Sequence, residues 1–234
     1  LAINGLGRIG RTVIREFEKR KQEGMFKDLE IVAANNPGDI NQFVHLLKYD
    51  SLHGRFPGKV SVEGDTITAG SSTIKVFAQK DPSEIDWTSQ NVDIVIDATG
   101  IFKDKAGLGK HLNGTVKKVI MCAPGTDLDG TFVFGINHTD YKPADHNIVS
   151  NASCTTNCLA PVAKVLHDTF GIESGLMTTV HAYTSDQNIL DGNHKDMRRA
   201  RAAAVSMIPT TTGAAKAVGM VLPELAGKLD GYAV

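Results

Sequence analysis

The chain has 234 residues, 41% of them hydrophobic, and its 25 lysines and arginines nearly balance 26 aspartates and glutamates. This predicts a globular protein of one or two domains with a substantial core. The balanced charge favours neither a dedicated nucleic-acid site nor a membrane-surface protein. There is no long apolar run, and the first residues are typical of a strand instead of a signal sequence, so we expect a cytoplasmic protein without membrane partners.

The first 35 residues predict a βαβ unit. Residues 1–4 are an apolar strand, residues 9–22 repeat apolar side chains at helical spacing, and residues 29–35 form a second apolar run. A strand, a glycine-rich loop, a helix and a second strand are the opening of a doubly wound parallel sheet. The predicted fold class is therefore α/β, with a Rossmann-type sheet.

Further strands are predicted along the first domain. Residues 92–97 are typical of a buried parallel strand, and residues 59–79 alternate as in antiparallel hairpins at a sheet edge. Residues 116–122 and 130–137 are two more candidate strands, and an extended segment covers residues 147–150. We assign residues 1–150 to a dinucleotide-binding domain.

Residues 151–234 differ in character and are predicted to be the N-terminal part of an α+β catalytic domain. The pattern predicts a helix at about 155–168, a strand at 172–183, a helix at 214–221 and the start of a strand near 229–234. Between them, residues 184–207 form a long irregular stretch, and such loops are usually functional or lie at an interface.

The glycines of the first loop predict dinucleotide binding because they directly follow a strand and open a helix. Gly5 would permit the tight turn, Gly7 the close approach of a pyrophosphate, and Gly10 the packing of helix on strand. The alternative is a glycine-rich turn in a nucleotide-free sheet. The acidic residue expected after the second strand is replaced by Asn36, which removes an electrostatic barrier to a 2′-phosphate. The expected cofactor is NAD, NADP or both.

Cys154 is a candidate nucleophile because it stands where the extended segment turns into a helix. The unpaired N–H groups and the dipole of a helix start favour the thiolate. The alternative is a small buried residue after a turn. Cys158, one helical turn further on, is predicted to be buried and to serve packing. The chain's three cysteines make no disulfide framework, and its scattered histidines show no zinc pattern, so we expect no metal.

His181 is the candidate base. A histidine at a strand end is more often structural, but a thiolate and an imidazole together activate a sulfur nucleophile and can move a proton to and from a carbonyl oxygen. A dinucleotide site, a reactive cysteine and a base together suggest oxidation of an aldehyde through a thiohemiacetal and a thioester. The hydride would pass to the nicotinamide.

The chain resembles the phosphorylating glyceraldehyde-3-phosphate dehydrogenases over essentially its whole length. The stretches that carry the resemblance are residues 4–11 (NGLGRIGR), 46–51 (LLKYDS), 150–158 (SNASCTTNC), 181–184 (HAYT) and 212–218 (TGAAKAV). The resemblance implies an α+β catalytic domain with a mostly antiparallel sheet. It also implies reversible conversion of D-glyceraldehyde 3-phosphate and inorganic phosphate to 1,3-bisphosphoglycerate, in glycolysis and in a homotetramer that uses the 184–207 loop.

The resemblance also implies roles for individual residues. Cys154 would be the nucleophile and His181 the base. Thr184 would bind the substrate phosphate, and inorganic phosphate would be bound by Ser153, Thr155, Thr212 and Gly213. Without the resemblance, the Thr212-Gly213 turn would be interpreted as an ordinary helix cap. The cofactor would be held by the three loop glycines and by Arg8, Ile9, Asn36, Lys80, Thr99, Gly100 and Cys122.

Two departures from the family bear on the cofactor. NAD-restricted members carry aspartate at the position of Asn36, and bacterial members often have Leu-Pro where this chain has Gly192-Asn193. In the family's tetramer, that loop reaches the adenosine pocket of a neighbouring subunit. Both changes would leave room for a 2′-phosphate, so the hypothesis is acceptance of NADP alongside NAD.

Two alternatives remain open at this stage. Erythrose-4-phosphate dehydrogenase shares the cysteine chemistry, although the Thr212-Gly213 turn favours the triose enzyme. A non-catalytic binding protein could also keep the fold, although such a protein would be expected to have lost Cys154 or His181. The chain ends before the family's substrate arginine, its nicotinamide-orienting asparagine and its C-terminal helix. We therefore expect the 234 residues alone to be inactive or poorly folded.

Overall fold

The computed structural model describes all 234 residues, and they form two compact units. The first unit comprises Leu1–Thr131 and Tyr141–Asn151, and the second comprises Phe132–Asp140 and Ala152–Val234. None of the helices combines the length and the apolar character needed to span a membrane.

The first unit contains a nine-stranded sheet, a two-stranded ribbon and three α-helices. In chain order, its elements are β1 (Ala2–Asn4), α1 (Arg8–Gln22), β2 (Ala33–Asn35), α2 (Ile40–Lys48), the ribbon of β3 (Tyr49–Asp50) and β4 (Gly54–Arg55), β5 (Val60–Glu63), β6 (Thr66–Ala69), β7 (Ser72–Phe77), β8 (Ile94–Asp97), α3 (Lys105–Gly109), β9 (Lys118–Met121), β10 (Gly130–Thr131) and β11 (Ile148–Ser150).

The sheet has the strand order β10-β11-β9-β8-β1-β2-β7-β6-β5. Every pair from β10 to β7 is parallel, whereas β7, β6 and β5 pair antiparallel. The chain leaves β1 first toward β2 and later returns to its other side with β8, so β1 and β8 flank the point where the strand order reverses. Ligands of doubly wound sheets bind outside the carboxyl ends of the strands at such a point. The predicted Rossmann-type sheet and its antiparallel edge hairpins are confirmed.

Helix α1 packs on this sheet through an apolar stripe. Ile14 and Phe17, three positions apart, are buried in one core cluster with Ile3 of β1. Three basic residues in the last turn of α1 complement the negative end of the helix dipole. The sequence periodicity therefore predicts this helix to within one residue at its start.

The second unit contains a mixed three-stranded sheet and two α-helices. Its elements are α4 (Cys154–Phe170), β12 (Gly175–Thr179), β13 (Thr210–Thr211), α5 (Ala214–Val221) and β14 (Leu229–Ala233). Strand β14 pairs parallel with β12 and antiparallel with β13. The core of this unit is formed by Val133, Ala152, Ala160, Ala163, Val218, Val221, Leu222 and Leu225. The predicted class, a Rossmann-type sheet with an α+β unit, is confirmed.

Several strands are shorter than predicted, and the difference is largest in three of them. Residues 132–137 are not a strand, because Val133 and Asn137 close a local turn in which the Val133 N–H donates to the Asn137 side chain at 2.9 Å. The segment predicted as a strand at 172–183 is a strand only over Gly175–Thr179, and the one predicted at 29–35 only over Ala33–Asn35. In each case the apolar run is longer than the segment whose backbone pairs with a neighbouring strand.

Candidate functional site

Cys154 is the first residue of α4, and the residues before it fix the start of that helix. Ala152 has a φ of 57°, an uncommon conformation for a residue with a side chain, which turns the chain sharply. Ser153 is the N-cap, and its hydroxyl accepts a hydrogen bond from the Thr156 N–H at 2.9 Å. The thiol therefore lies at the electropositive end of a 17-residue helix, as the sequence predicted.

His181 lies directly against this cysteine. Its Nε2 is 3.3 Å from the Cys154 Sγ, and its Nδ1 is 2.6 Å from the carbonyl oxygen of Ala182. Because a carbonyl only accepts, Nδ1 carries a hydrogen, and Nε2 is left to exchange a proton with the sulfur. His181 stands two residues beyond β12, and its N–H donates to the Val234 carbonyl at 2.9 Å.

The contact between Cys154 and His181 shifts the pKa values of both side chains in the direction that favours a charged pair. Partial burial works to raise the pKa of the Cys154 thiol, but hydrogen bonds from His181 and Thr155 and the charge of His181 outweigh it, and the pKa is lowered. The pKa of His181 is raised by its bond to the Ala182 carbonyl and then by its bond to Cys154. A lowered thiol pKa beside a raised imidazole pKa favours thiolate and imidazolium.

The other two cysteines have different surroundings. Burial, and then the charge of Asp97, raises the pKa of Cys122 to about 11, so this thiol stays protonated at neutral pH. The prediction that Cys158 is buried is wrong, because Cys158 is exposed. The buried stripe of α4 consists of Thr156, Ala160 and Ala163, and Cys158 lies on another flank of the helix.

The hydroxyl residues predicted to bind anions lie at turns and helix starts. Thr155 hydrogen-bonds Cys154, and Gly213 is the N-cap of α5, where the Thr212 hydroxyl accepts from the Ala214 N–H at 3.2 Å. Thr184 is exposed and forms a turn in which its N–H donates to the Gln187 side chain at 2.8 Å. These groups can donate to an anion without a large net positive charge.

Arg199 is a cation of this unit that sequence reasoning missed. Its guanidinium pairs with Asp186, donates to the Thr210 hydroxyl at 3.1 Å, and lies close enough to His181 for its charge to oppose protonation of the imidazole. Asp186 is also 3.4 Å from the Nε2 of His194. The sequence marked the 184–207 loop as functional, but its four arginines and lysines could not be told apart without these contacts.

The first unit has a cleft of about 500 Å³ at the carboxyl ends of β1, β2 and β8. It is lined by five of the residues predicted to bind the cofactor, which are Gly5, Gly7, Asn36, Lys80 and Thr99. Its other lining residues were not singled out from the sequence: Asn4, Asn35, Pro37, Gln79, Ala98, Ile101 and Phe102. Each ends a strand or follows a strand's carboxyl end within five residues, which is the signal that could have found them. Arg8, Ile9, Gly10, Gly100 and Cys122 are not among the lining residues.

The glycine loop has the geometry that a dinucleotide requires. Gly5 has a φ of 94°, and a Cβ on Gly10 would lie 2.0 Å from the Gly5 carbonyl oxygen. A Cβ on Gly7 would meet no protein atom within 4 Å, so the loop is open on the side of the cleft that Gly7 lines. The residues present therefore fit a bound dinucleotide.

Two polar contacts fix the ends of this loop. The Asn36 side-chain oxygen accepts from the Leu6 N–H at 2.8 Å. Arg8 pairs with Asp50, whose side chain is 4% exposed and also accepts the N–H groups of Leu52 and His53. The bond from His53 is the largest cause that lowers the pKa of Asp50, so this carboxylate stays charged.

Comparison with protein families and with curated proteins gives concordant results. Residues 1–105 match the family described as glyceraldehyde 3-phosphate dehydrogenase, NAD binding domain, and residues 153–234 match its C-terminal domain. The whole chain is 56% identical over 234 residues to glyceraldehyde-3-phosphate dehydrogenase 1 of Streptomyces arenae and covers 69% of that protein. It is 53% identical to the Priestia megaterium enzyme, covering 68%, and 55% identical to the Mycolicibacterium smegmatis enzyme, covering 69%.

Proposed function

Because the chain belongs to the glyceraldehyde-3-phosphate dehydrogenase family, we propose that Cys154 and His181 carry the phosphorylating oxidation of D-glyceraldehyde 3-phosphate to 1,3-bisphosphoglycerate. Family membership makes the chain an NAD-dependent oxidoreductase of glycolysis with an NAD(P) cofactor. The observation that carries the proposal is the 3.3 Å contact between the Cys154 Sγ and the His181 Nε2 at the start of α4.

The first step is attack of the Cys154 thiolate on the aldehyde carbon. A carbon–sulfur bond forms, and the carbonyl oxygen takes the proton of the His181 imidazolium, giving a thiohemiacetal. The neutral imidazole then removes the hydroxyl proton while the hydride leaves carbon, and a thioester remains on Cys154. When bound, NAD(P)⁺ would supply the acceptor for that hydride.

Phosphate then resolves the thioester. An oxygen of inorganic phosphate attacks the acyl carbon, the carbon–sulfur bond breaks, and the Cys154 thiolate is regenerated as the acyl phosphate leaves. We assign the inorganic phosphate to Ser153, Thr155, Thr212 and Gly213, and the substrate phosphate to Thr184. Arg199 supports these assignments because its positive charge reaches His181, where it acts to lower the pKa of the imidazole.

The cofactor is assigned to residues 1–150 as the dinucleotide-binding domain, with catalysis in residues 151–234. The binding residues of this proposal are Gly5, Gly7, Arg8, Ile9, Gly10, Asn36, Lys80, Thr99, Gly100 and Cys122. Five of them line the cleft, and Gly10 supports it by letting α1 pass close to the Gly5 carbonyl. We further propose acceptance of NADP alongside NAD, because no carboxylate follows β2 at Asn36.

The surface of the 184–207 loop and the state of the cysteines bear on assembly and cellular location. The 184–207 loop exposes five large apolar side chains, which are Ile189, Leu190, Met197, Val205 and Met207. An apolar surface of this kind supports a contact with further copies of the chain, and we propose a homotetramer. Three free cysteines suit the reducing cytoplasm.

Steady-state kinetics of the purified full-length protein, extended to the length of the relatives that the chain matches, test the proposal. With NAD⁺ and inorganic phosphate, we expect glyceraldehyde 3-phosphate to have a higher kcat/KM than erythrose 4-phosphate, and activity to require phosphate. The Cys154→Ser variant is expected to lose activity by about a thousandfold or more, whereas Cys158→Ser keeps it. A preference for erythrose 4-phosphate, or an active Cys154→Ser variant, would overturn the assignment.

A further inference from the structure

A second cavity of the first unit lies between α1 and the chain around β4. It has a volume of about 290 Å³ and shares no lining residue with the cofactor cleft. Its lining residues are Thr12, Arg15, Glu16, Lys19, His53, Arg55 and Pro57. The four that belong to α1 are spaced by three or four positions or by a full two turns, so they share one face of the helix. Ligand pockets usually measure about 300–1,000 Å³, so this cavity suits a compact ligand.

Arg15 is the buried cation of this cavity, with 7% of the residue exposed. Its guanidinium donates to the carbonyl oxygens of Leu47, His53 and Gly54 at 2.5, 3.3 and 2.9 Å. These bonds hold the guanidinium against the ribbon of β3 and β4, and they use at most three of its five N–H groups. The other N–H groups have no acceptor in the protein. A buried, positively charged donor therefore lines the cavity with part of its hydrogen-bonding capacity unused.

Two exposed cations, Lys19 and Arg55, complete a positive lining. None of the ion pairs of the chain includes either of them or Arg15. The one carboxylate of the cavity is Glu16, which accepts from the Arg20 Nε at 2.5 Å. That bond is the largest cause that lowers the pKa of Glu16, so this carboxylate stays charged and is matched by Arg20. Three cations thus line one cavity without a carboxylate of their own, in a chain whose net charge is −1.

A lining of this kind favours an anion that carries several charges. Like charges around one cavity repel each other, and a bound anion relieves that repulsion while it accepts their N–H groups. Guanidinium and ammonium groups together are the side-chain donors that phosphate oxygens prefer. The alternative is a set of solvated surface cations. That alternative accounts for Lys19 and Arg55, but it leaves the unused N–H groups of the buried Arg15 without an explanation.

We propose that this cavity is a binding site for a compact phosphate compound with several negative charges, whose phosphoryl oxygens accept from Arg15, Lys19 and Arg55. Inorganic oligophosphates and phosphorylated sugars share this chemistry, because both present more than one phosphoryl group in a small volume. The site includes neither Cys154 nor His181 and no residue of the cofactor cleft, so it is independent of the proposed catalytic function.

Titration calorimetry on the full-length protein tests the site, with saturating NAD⁺ to keep the probes out of the cofactor cleft. The probes are tripolyphosphate, which is an inorganic chain, and glucose 1,6-bisphosphate, in which a sugar separates two phosphates. Orthophosphate is the comparison with a single phosphoryl group. We expect at least one probe to bind more tightly than orthophosphate, with an affinity that falls as the salt concentration rises. The probe that binds more tightly identifies the source of the phosphoryl groups.

Charge variants then locate the bound probe. The double variant Lys19→Gln/Arg55→Gln removes two cations and keeps the buried arginine that holds the ribbon, and we expect the affinity to fall about tenfold or more. The matched control Lys27→Gln/Lys142→Gln makes the same change of charge at exposed positions outside the cavity and is expected to stay within about twofold of the wild type. Glu16→Gln removes the carboxylate of the cavity, so we expect it to bind about threefold or more tightly.

A loss of affinity in Lys19→Gln/Arg55→Gln that the control lacks, together with tighter binding by Glu16→Gln, supports the site. Equal affinities of the double variant and its control would mean that the anion binds elsewhere, and this result overturns the proposal. A wild type that binds neither probe more tightly than orthophosphate overturns it as well. All variants are expected to keep the kcat of the wild type, which shows that they are folded and that the outcome is separate from the catalytic proposal.

Discussion

Three cysteines in one chain differ in reactivity because of what surrounds each sulfur. Cys154 has a helix start, a hydrogen-bond donor in Thr155 and an imidazole at 3.3 Å. Cys122 has burial and a nearby carboxylate, and both raise its pKa. Cys158 is exposed but lies one turn into α4, where the helix N–H groups are already paired. These surroundings favour Cys154 over the other two cysteines as the proposed nucleophile.

The first prediction concerns the pH dependence of that sulfur. The pKa of Cys154 is lowered and that of His181 raised, so the thiolate persists to lower pH than in an ordinary cysteine. His181→Asn removes the hydrogen bond that contributes most to lowering the pKa of Cys154. We expect the midpoint of iodoacetamide alkylation to move to higher pH. We also expect kcat to fall by about a hundredfold or more. Alkylation rates are measured by peptide mass spectrometry across the pH range.

The control for this experiment is His194→Asn, which removes an imidazole of the same unit that contacts Asp186 and not the sulfur. Its alkylation midpoint is expected to match the wild type. An unchanged midpoint in His181→Asn would mean that the helix start alone activates the thiol.

Asn36 is expected to determine whether the protein accepts NADP as well as NAD. Its side-chain oxygen accepts the Leu6 N–H, a bond that an aspartate can also make, so Asn36→Asp should preserve the loop while adding a negative charge. We expect the KM for NADP to rise about tenfold or more, with little change for NAD. Asn36→Ser is the uncharged control. A wild-type preference for NAD over NADP beyond about a hundredfold would contradict the hypothesis of dual use.

At the scale of elements, a buried carboxylate ties α1 to the edge hairpin of the sheet. Glu18 is 1% exposed and accepts the Ser71 N–H at 2.7 Å, the Ser71 hydroxyl at 3.1 Å, and the Ser72 hydroxyl. The turn between β6 and β7 is close enough that a Cβ on Gly70 would meet the Glu18 carboxylate at 2.3 Å. Glu18 therefore adds a side-chain link between α1 and this hairpin, which β7 also joins to the sheet by pairing with β2.

Glu18→Gln tests this link. The amide has one acceptor oxygen in place of two, so part of the cluster of donors is left unsatisfied, and the free energy of unfolding is expected to fall by about 2 kcal/mol. Chemical denaturation of the purified protein measures it. Glu16→Gln on the exposed face of the same helix is the matched control and is expected to leave stability unchanged. Equal stability of both variants would contradict this role of Glu18.

The sequence predicts the elements whose signals are local. Helix α5 begins and ends as predicted, and α1 and α4 begin within one residue of their predictions, because apolar periodicity and turn residues mark them. The sequence also indicates which strand ends form the cleft. It does not show that Val133 and Asn137 close a turn, that Cys158 faces outward, or that Arg199 and Asp97 occupy their positions. Those features depend on contacts between residues far apart in the chain.

The roles of Cys154 and His181 stay predictions, while their contact is a structural finding. Local pattern placed the cysteine at a helix start, but nothing local brings residue 181 to residue 154. That pairing follows from the second unit's fold, in which His181 is fixed by its N–H bond to Val234 at the end of the chain as given. The family resemblance supplied what spacing could not.

For the molecule as a whole, the exposed apolar side chains of the 184–207 loop predict assembly. Leu190 is 77% exposed, and Leu190→Glu would put a charge in a self-association surface, where it is costly. We expect this variant to shift from tetramer toward smaller species in analytical ultracentrifugation. Met25→Glu adds the same charge at an exposed apolar position outside the loop and should not. A tetrameric Leu190→Glu protein, or a monomeric wild type, would contradict the proposed assembly.

We propose that Cys154 holds the acyl group during the reaction, and the thioester can be trapped on that sulfur. The full-length protein is mixed with glyceraldehyde 3-phosphate and NAD⁺ without inorganic phosphate, quenched in acid, digested and analysed by peptide mass spectrometry. We expect a burst of NADH close to one per active site and an acyl adduct on the peptide at Cys154, absent in Cys154→Ser and retained in Cys158→Ser. An adduct on Cys158, or a burst in Cys154→Ser, would contradict it.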